Sequence, residues 1–184
     1  MGRPRGGAGR LPRRGRAVGL GRAGTASVLA GITGDTSARF TYPAQPVKFA
    51  AMEGLYQTQR GAPIHLGGIP SNSQHRVLYA IEIRDALSLL AAFDPNALVQ
   101  GLDSFPRSDW PNPVMVHLSF DTMAGVGTGL GLLSIWFWVL TLWRRRLPSW
   151  RPLLIAVVVS GPAAVIAMET GWFVTAFGRH PWNG

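Results

Sequence analysis

The sequence predicts an all-α membrane protein, in which a transmembrane helical hairpin follows a long extracytoplasmic loop domain and a disordered N-terminus. Two long apolar runs near the C-terminus predict the hairpin, because each is long enough to cross a bilayer. Turn signals and short apolar pieces ahead of them predict the loop domain. An Arg- and Gly-rich start without apolar periodicity predicts the disordered segment. The predicted divisions are 1–33, 34–112 and 113–184.

The N-terminal segment carries most of the positive charge. Residues 1–33 hold seven of the eighteen Lys and Arg residues and no acid, so the net charge of +9 describes this segment more than the body. No aromatic side chains are interleaved to stack on bases, and we therefore expect no nucleic-acid partner. Arg22 interrupts the apolar run, which argues against an export signal. A start site misplaced ahead of the natural coding segment would also explain this composition.

Residues 34–112 mix turn signals with short apolar pieces. The turn signals are GAP, GGIPSNS, DPN and FPRSDWPNP. Between them, KFAAMEGLYQ and LYAIEIRDALSLLAAF have the apolar periodicity of short helices, and neither is long enough to cross a bilayer. We interpret the region as a long, ordered loop domain.

Two apolar runs, at about 114–143 and 152–177, predict transmembrane helices, since about 20 residues cross a hydrocarbon core. Tryptophans gather near the arginines between the runs, as in an interfacial belt. The positive-inside rule places Arg144–Arg151 in the cytoplasm. Residues 34–112 and the terminal GRHPW motif then lie on the extracytoplasmic side.

Several polar or soft side chains lie within these runs. Cysteine is absent, so a haem or metal would need His, Met or carboxylate ligands. Asp121 follows His117 by one turn, and the two form either a functional pair or an interfacial pair near the outer surface. Met123 is either a soft ligand or apolar filler. Glu169 lies deep in the second run, which favours a functional role.

The ends of the runs offer two further candidates. Glycines at 125, 127, 129 and 131 form overlapping small-xxx-small pairs that would admit a flat cofactor or simply another helix. Arg179 ends the second run ahead of His-Pro-Trp. It fits either a headgroup anchor or a bidentate grip on a ligand carboxylate.

Lys48 and Glu53 lie five residues apart in QPVKFAAMEGLYQTQRGAP. On a helix this spacing sets them about 140° apart, so they do not form the usual i,i+4 pair. We interpret the two charges as directed at another group.

Five segments resemble, in the same order, subunit I of cytochrome bd-type quinol oxidases. They are GDTSARF, QPVKFAAMEGLYQTQRGAP, FDPNALVQGLDSFP, VHLSFDTMAGVGTGLGLL and ETGWFVTAFGRHPW, and they extend over residues 34–182. In this family the loop ahead of the Met-bearing helix, the Q loop, lies on the outer face and admits quinol.

The resemblance implies a role for each candidate residue. Lys48 and Glu53 match the Q-loop lysine and glutamate of quinol binding and oxidation, with Lys48 polarising a quinol oxygen and Glu53 accepting a proton. Met123 matches the axial ligand of a b-type haem, and Arg179 would hold a haem propionate. Glu169 matches an acid near the haems, in the haem environment or a proton path. The complete subunit would add haem d or a further haem b.

The sequence also departs from the family pattern. No helices with the haem-binding histidines precede Gly34, so we expect a C-terminal portion of the subunit. Ala176 stands where the family usually has a glutamate that binds haem iron. Asp121 replaces an Arg or Gln, and its negative charge should lower the potential of the adjacent haem. His180 replaces the glutamine of GRQPW.

The resemblance therefore implies a partial subunit I of a terminal oxidase that oxidises quinol outside and passes electrons through haem to reduce O2 to water. Its expected partners are quinol, O2, membrane lipid and subunit II, and we expect this chain alone to be inactive. The alternatives are a non-redox two-helix membrane protein or decayed remnant, and a quinone-binding accessory protein that uses only the Lys48/Glu53 loop.

Overall fold

The computed structural model describes residues 40–144 and 150–179, together with single positions between 15 and 36. The predicted disorder of 1–33 concerns residues that lie, apart from those single positions, outside the described ranges. The same holds for His180 and the rest of the GRHPW motif after Arg179, and for residues 145–149 of the arginine-rich turn.

Two long helices dominate the described chain. Helix α3 runs over Pro113–Arg144 and helix α4 over Arg151–Phe177, with mean hydropathies of 1.6 and 2.0 in their most apolar windows. Both are long and apolar enough to cross a membrane, as the sequence predicts. They form an antiparallel hairpin, because Phe137 contacts Leu153 at one end while Val116 and Val174 share a core cluster at the other.

The region before the hairpin is not all-α. It contains two short helices, α1 (Pro46–Met52) and α2 (Ala86–Ala92), and two 3₁₀ turns, Leu102–Ser104 and Arg107–Asp109. Six short strands accompany them: β1 (Gln59–Arg60), β2 (Ile64–Leu66), β3 (Ile69–Ser71), β4 (Arg76–Leu78), β5 (Ile81–Ile83) and β6 (Leu98–Val99). They pair antiparallel as β1–β6, β2–β5 and β3–β4. The chain is still mostly helical, but the predicted helix over LYAIEIRDALSLLAAF is strand β5 followed by the shorter α2.

The β2–β5 pairing encloses the β3–β4 hairpin. Gly67 and Gly68 lie between β2 and β3 with positive φ angles of 70° and 90°, conformations that a side chain would disfavour. The register sets Ile64 opposite Ile83 and His65 opposite Glu82. Strand pairing therefore brings together residues that the local sequence separates.

The loop region sits on the open end of the helical hairpin. One buried cluster joins Ala50, Ala51 and Met52 of α1 to Val116 of α3 and Val174 of α4. A second cluster lies within the loop region itself and contains Phe49, Leu55, Ala62, Leu87 and Val99. Helix α1 contributes to both clusters, so it fixes the loop against the hairpin.

Candidate functional site

Glu53 lies at the point where α1 ends. The amide of Leu55 donates to Ala50 O at 2.9 Å, and the amide of Gly54 donates to Ala51 O at 3.4 Å. This is a Schellman motif, which requires a residue of positive φ after the C-cap, and Gly54 has a φ of 63°. The helix therefore stops at Met52, and Glu53, its C-cap, faces inward with only 3% of its surface exposed.

Burial gives the Glu53 carboxyl an unusual protonation equilibrium. Desolvation raises its pKa, the negative charge of Asp121 raises it further, and the pKa reaches about 8. A carboxyl with a pKa close to the working pH is suited to general acid–base chemistry. Glu53 can therefore both accept and release a proton near neutral pH.

Lys48 lies on the other side of α1 and contacts the end of α4. Its Cε and Cδ lie 2.7 and 3.0 Å from where a Cβ on Gly178 would stand, so only a glycine leaves room for this contact. Partial burial lowers the pKa of the Lys48 ammonium, and the Arg179 guanidinium lowers it further. No salt bridge joins Lys48 to Glu53, both of which lie in the described part of the chain.

His117 connects α3 to the loop. Its ring is fully buried, and Nδ1 donates to Met52 O at 2.7 Å. Nε2 lies 3.4 Å from Gly67 O and 3.4 Å from Asp121 Oδ2. The predicted proximity of His117 and Asp121 is thus observed, but the sequence did not indicate that His117 also contacts the residue before Glu53.

His65 is a further polar neighbour that sequence reasoning missed. Its Nδ1 donates to Glu53 O at 3.0 Å, and its Nε2 lies 3.8 Å from Glu82 Oε1. A cavity of about 380 Å³ is lined by both side chains and by Gly54. The His65–Glu82 contact depends on strand register, so no local signal could have revealed it.

His75 has a different environment. Its Nδ1 lies 2.8 Å from Asp103 Oδ1, and Arg107 Nη2 donates to its Nε2 at 2.7 Å. The ring also contacts Tyr56 and Trp110. These contacts occupy both ring nitrogens, so His75 holds the loop together.

The sulfur of Met123 lies against α4. Its sulfur lies 3.0 Å from where a Cβ on Gly171 would stand, so α4 offers a glycine notch that holds the thioether. A Cβ added at Gly125 or Gly129 would meet no atom within 4 Å, so these glycines lie on an open face of α3, and Gly125 is directed about 160° away from Met123. No group of three or more His, Asp or Glu side chains in the described ranges could hold a metal ion. Met123 offers a thioether, a type of ligand that haem iron accepts.

The structure does not bring Glu169 to Met123. Glu169 is exposed and precedes Gly171 by two residues, which sets their directions about 160° apart on a helix. Arg179 is exposed at the end of α4, and its positive charge is close enough to lower the pKa of Lys48. Ala176, one turn before the end of the described chain, offers no atom that could bind iron.

Comparison with known proteins identifies relatives of the whole arrangement. The family model described as cytochrome bd terminal oxidase subunit I matches residues 7–183. The match includes residues 7–33, which the resemblance seen in the sequence did not cover.

Two relatives align over most of this chain. "Putative cytochrome bd menaquinol oxidase subunit I" of Bacillus subtilis (strain 168) is 41% identical over 164 residues, which are 86% of this chain and 36% of that protein. Cytochrome bd-II ubiquinol oxidase subunit 1 of Escherichia coli (strain K12) is 28% identical, over 81% of this chain and 42% of that protein.

A solved structure of bd oxidase from Geobacillus thermodenitrificans superposes with a TM-score of 0.73 at 35% identity, over 85% of this chain and 36% of that one. The chain thus spans little more than a third of the length of the proteins it matches.

Proposed function

The chain belongs to the cytochrome bd terminal oxidase subunit I family, and we propose that it forms the part of that subunit that binds and oxidises quinol. One observation carries this proposal. Helix α1 holds Lys48 against the end of α4 and Glu53 beside the start of α3, the helix that bears Met123. The proposed quinol-binding residues and the proposed haem ligand therefore belong to one packed unit.

Lys48 and Glu53 divide the proton chemistry. The Lys48 ammonium, half-buried beside Arg179, donates a hydrogen bond to a quinol oxygen. Glu53, in its ionised form, takes the proton of a quinol hydroxyl as general base. Glu53 is shielded from bulk water, and this strengthens its electrostatic interaction with the substrate.

Met123 and Arg179 are the residues we assign to haem binding. A b-type haem, when bound, supplies one-electron chemistry for quinol oxidation. Met123 would provide a thioether ligand, held by the notch at Gly171, and Arg179 would contact a propionate. Glu169 would belong to the haem environment or a proton path. The remaining haem, either haem d or a further haem b, would bind elsewhere in the complete subunit.

The segment would have a defined orientation in the membrane and would work with other components of the oxidase. Residues 34–112 lie outside the bacterial plasma membrane, and Arg144–Arg151 face the cytoplasm, in agreement with the positive-inside rule. In the complete enzyme, subunit I assembles with subunit II and O2 is reduced to water. Named relatives include a menaquinol and a ubiquinol oxidase, so the proposal names quinol as the substrate class.

Steady-state assays of the complete oxidase that contains this segment test the proposal. Glu53→Gln and Lys48→Met should each lower quinol oxidation by about a hundredfold, the lower range for loss of a general acid or base. The haem content, measured as the pyridine haemochrome, should stay the same. Unchanged turnover in both variants would refute the proposal, and absence of haem from the unaltered oxidase would favour a non-redox membrane protein.

A further inference from the structure

Oxidation of quinol releases protons, and Glu53 is too deeply buried to pass them directly to bulk solvent. Only 3% of its surface is exposed. A buried carboxylate that accepts a proton in each catalytic cycle must then lose it to a neighbouring group that reaches solvent. The polar groups around Glu53 therefore decide which way its proton leaves.

His117 and Asp121 do not lead outward. The His117 side chain is 0% exposed and that of Asp121 is 19% exposed, and both belong to α3. Lys48 lies against the end of α4, on the opposite side of α1. In contrast, His65 contacts Glu53 through its main chain, and Glu82 beyond it is 61% exposed.

The hydrogen bond to Glu53 fixes the tautomer of His65. Because Glu53 O can only accept, Nδ1 of His65 carries the hydrogen, and a neutral ring can take a proton only at Nε2. Nε2 lies 3.8 Å from Glu82 Oε1, so the ring nitrogen that can take a proton is the one next to a carboxylate. Antiparallel register holds the two side chains opposite each other across β2 and β5.

A cavity links this pair to the neighbourhood of Glu53. It has a volume of about 380 Å³, and Gly54, His65 and Glu82 all line it. It has room for several water molecules, each of which takes about 30 Å³ of liquid volume. Gly54, the residue after Glu53, lines the cavity although Glu53 itself does not, and Glu82 gives the cavity wall an exposed carboxylate.

We infer that the His65–Glu82 pair is the proton exit of the quinol site. This inference rests on the proposed function. The Glu53 carboxyl gives its proton, through water in the cavity, to Nε2 of His65. Nε2 then passes the proton, through a further water that bridges the 3.8 Å gap, to the Glu82 carboxylate, which releases it to solvent, and His65 and Glu53 return to their starting forms. No bond other than O–H and N–H changes, and no electron moves in these steps.

Several charged groups surround His65. Glu82 faces it from β5, Glu53 lies beside it at the end of α1, and Asp121 interacts with it from α3. The cavity wall adds five titratable or charged side chains: Tyr56, His75, Arg76, Arg84 and Asp85. Asp85 is the natural control, because it places a carboxylate in the same cavity outside the His65–Glu82 pair.

The test compares Glu82→Gln, His65→Gln and Asp85→Asn in the complete oxidase. Glu82→Gln and His65→Gln should each lower quinol oxidation about tenfold, with an unchanged KM for quinol and an unchanged haem spectrum. The double variant should be no slower than either single one, because both residues serve one path. Added imidazole or formate should restore much of the rate, and Asp85→Asn should retain it.

The inference fails if Glu82→Gln and His65→Gln both stay within about twofold of the unaltered rate, or if Asp85→Asn slows turnover equally. Glu82 is exposed, so its variant should fold even if the His65 variant does not. Glu53→Gln shows whether only the proton exit or also the proposed quinol oxidation is wrong. If it is inactive while both exit variants are active, only the exit is wrong, and if it is active, the proposed function itself fails.

Discussion

Nδ1 of His117 donates a 2.7 Å hydrogen bond to the carbonyl oxygen of Met52, which joins the helix that bears Met123 to the residue before Glu53. The ring also lies 3.3 Å from where a Cβ on Gly54 would stand. His117 therefore positions Glu53 from beneath, without being exposed to substrate itself.

Removal of this ring should loosen the quinol site. His117→Ala leaves Met52 O without its donor and opens a cavity, which should together cost about 2–4 kcal/mol of stability. The KM for quinol should rise, since Glu53 is no longer fixed. His117→Asn keeps a donor close to the position of Nδ1 and should recover part of both losses. A His117→Ala oxidase with the same thermal stability and KM as the unaltered one would exclude this positioning role.

The raised pKa of Glu53 predicts a pH dependence of quinol oxidation. Because Glu53 acts as a base only when ionised and its pKa is about 8, the rate should rise with pH and level off above that value. Rates measured across this range should lose the rising limb in Glu53→Gln. A limb that persists unchanged in that variant would assign the titration to another group.

The raised pKa of Glu53 also predicts that replacing this residue with an uncharged glutamine stabilises the protein. Folding raises the pKa from 4.5 to about 8, so the stability from this group is complete below the lower value and is lost as pH rises through the upper one. Glu53→Gln removes that loss and should raise the melting temperature by a few degrees at alkaline pH. Its effect should be small in acid. If Glu53→Gln were less stable than the unaltered protein at every pH, ionisation of the buried Glu53 carboxyl would not be what lowers stability at alkaline pH.

Gly171 should hold the sulfur of Met123 in place. A methyl group there would come within 3.0 Å of Met123 Sδ, so Gly171→Ala should displace the thioether at a cost of about 1–3 kcal/mol. The α-band of the reduced b-type haem should shift or weaken. Gly161, on the same helix, has no atom within 4 Å of its added Cβ, and Gly161→Ala should leave the spectrum intact. If Gly171→Ala and Gly161→Ala gave the same haem spectrum, Gly171 would have no role in haem binding.

The two long helices could be predicted because length and apolarity suffice to identify a span, and neither depends on distant contacts. The short elements could not be predicted as well. KFAAMEGLYQ predicts a helix through Gln57, but Gly54 adopts a positive φ and ends α1 at Met52. Ile81–Ile83 has a helical apolar pattern in its context, yet pairing with β2 overrides it. Long-range pairing, rather than local propensity, decides these segments.

The candidate site, like the fold, could be predicted from the sequence only in part. Spacing alone indicated that Lys48 and Glu53 do not pair, and the structure confirms this. Their actual neighbours, the end of α4 and the start of α3, come from the docking of α1 on the hairpin. His65 and Gly171 act through contacts that no sequence motif encodes. The roles assigned to Lys48, Glu53, Met123, Arg179 and Glu169 stay predictions.

The most direct test of the central claim is the anaerobic reduction of the b-type haem by quinol, followed by absorbance in the complete oxidase that contains this segment. With Glu53→Gln, reduction by quinol should be at least about tenfold slower than in the unaltered oxidase, while dithionite reduces both to the same final spectrum. Equal rates of quinol-driven reduction in the two proteins would contradict the claim that this segment oxidises quinol through Glu53.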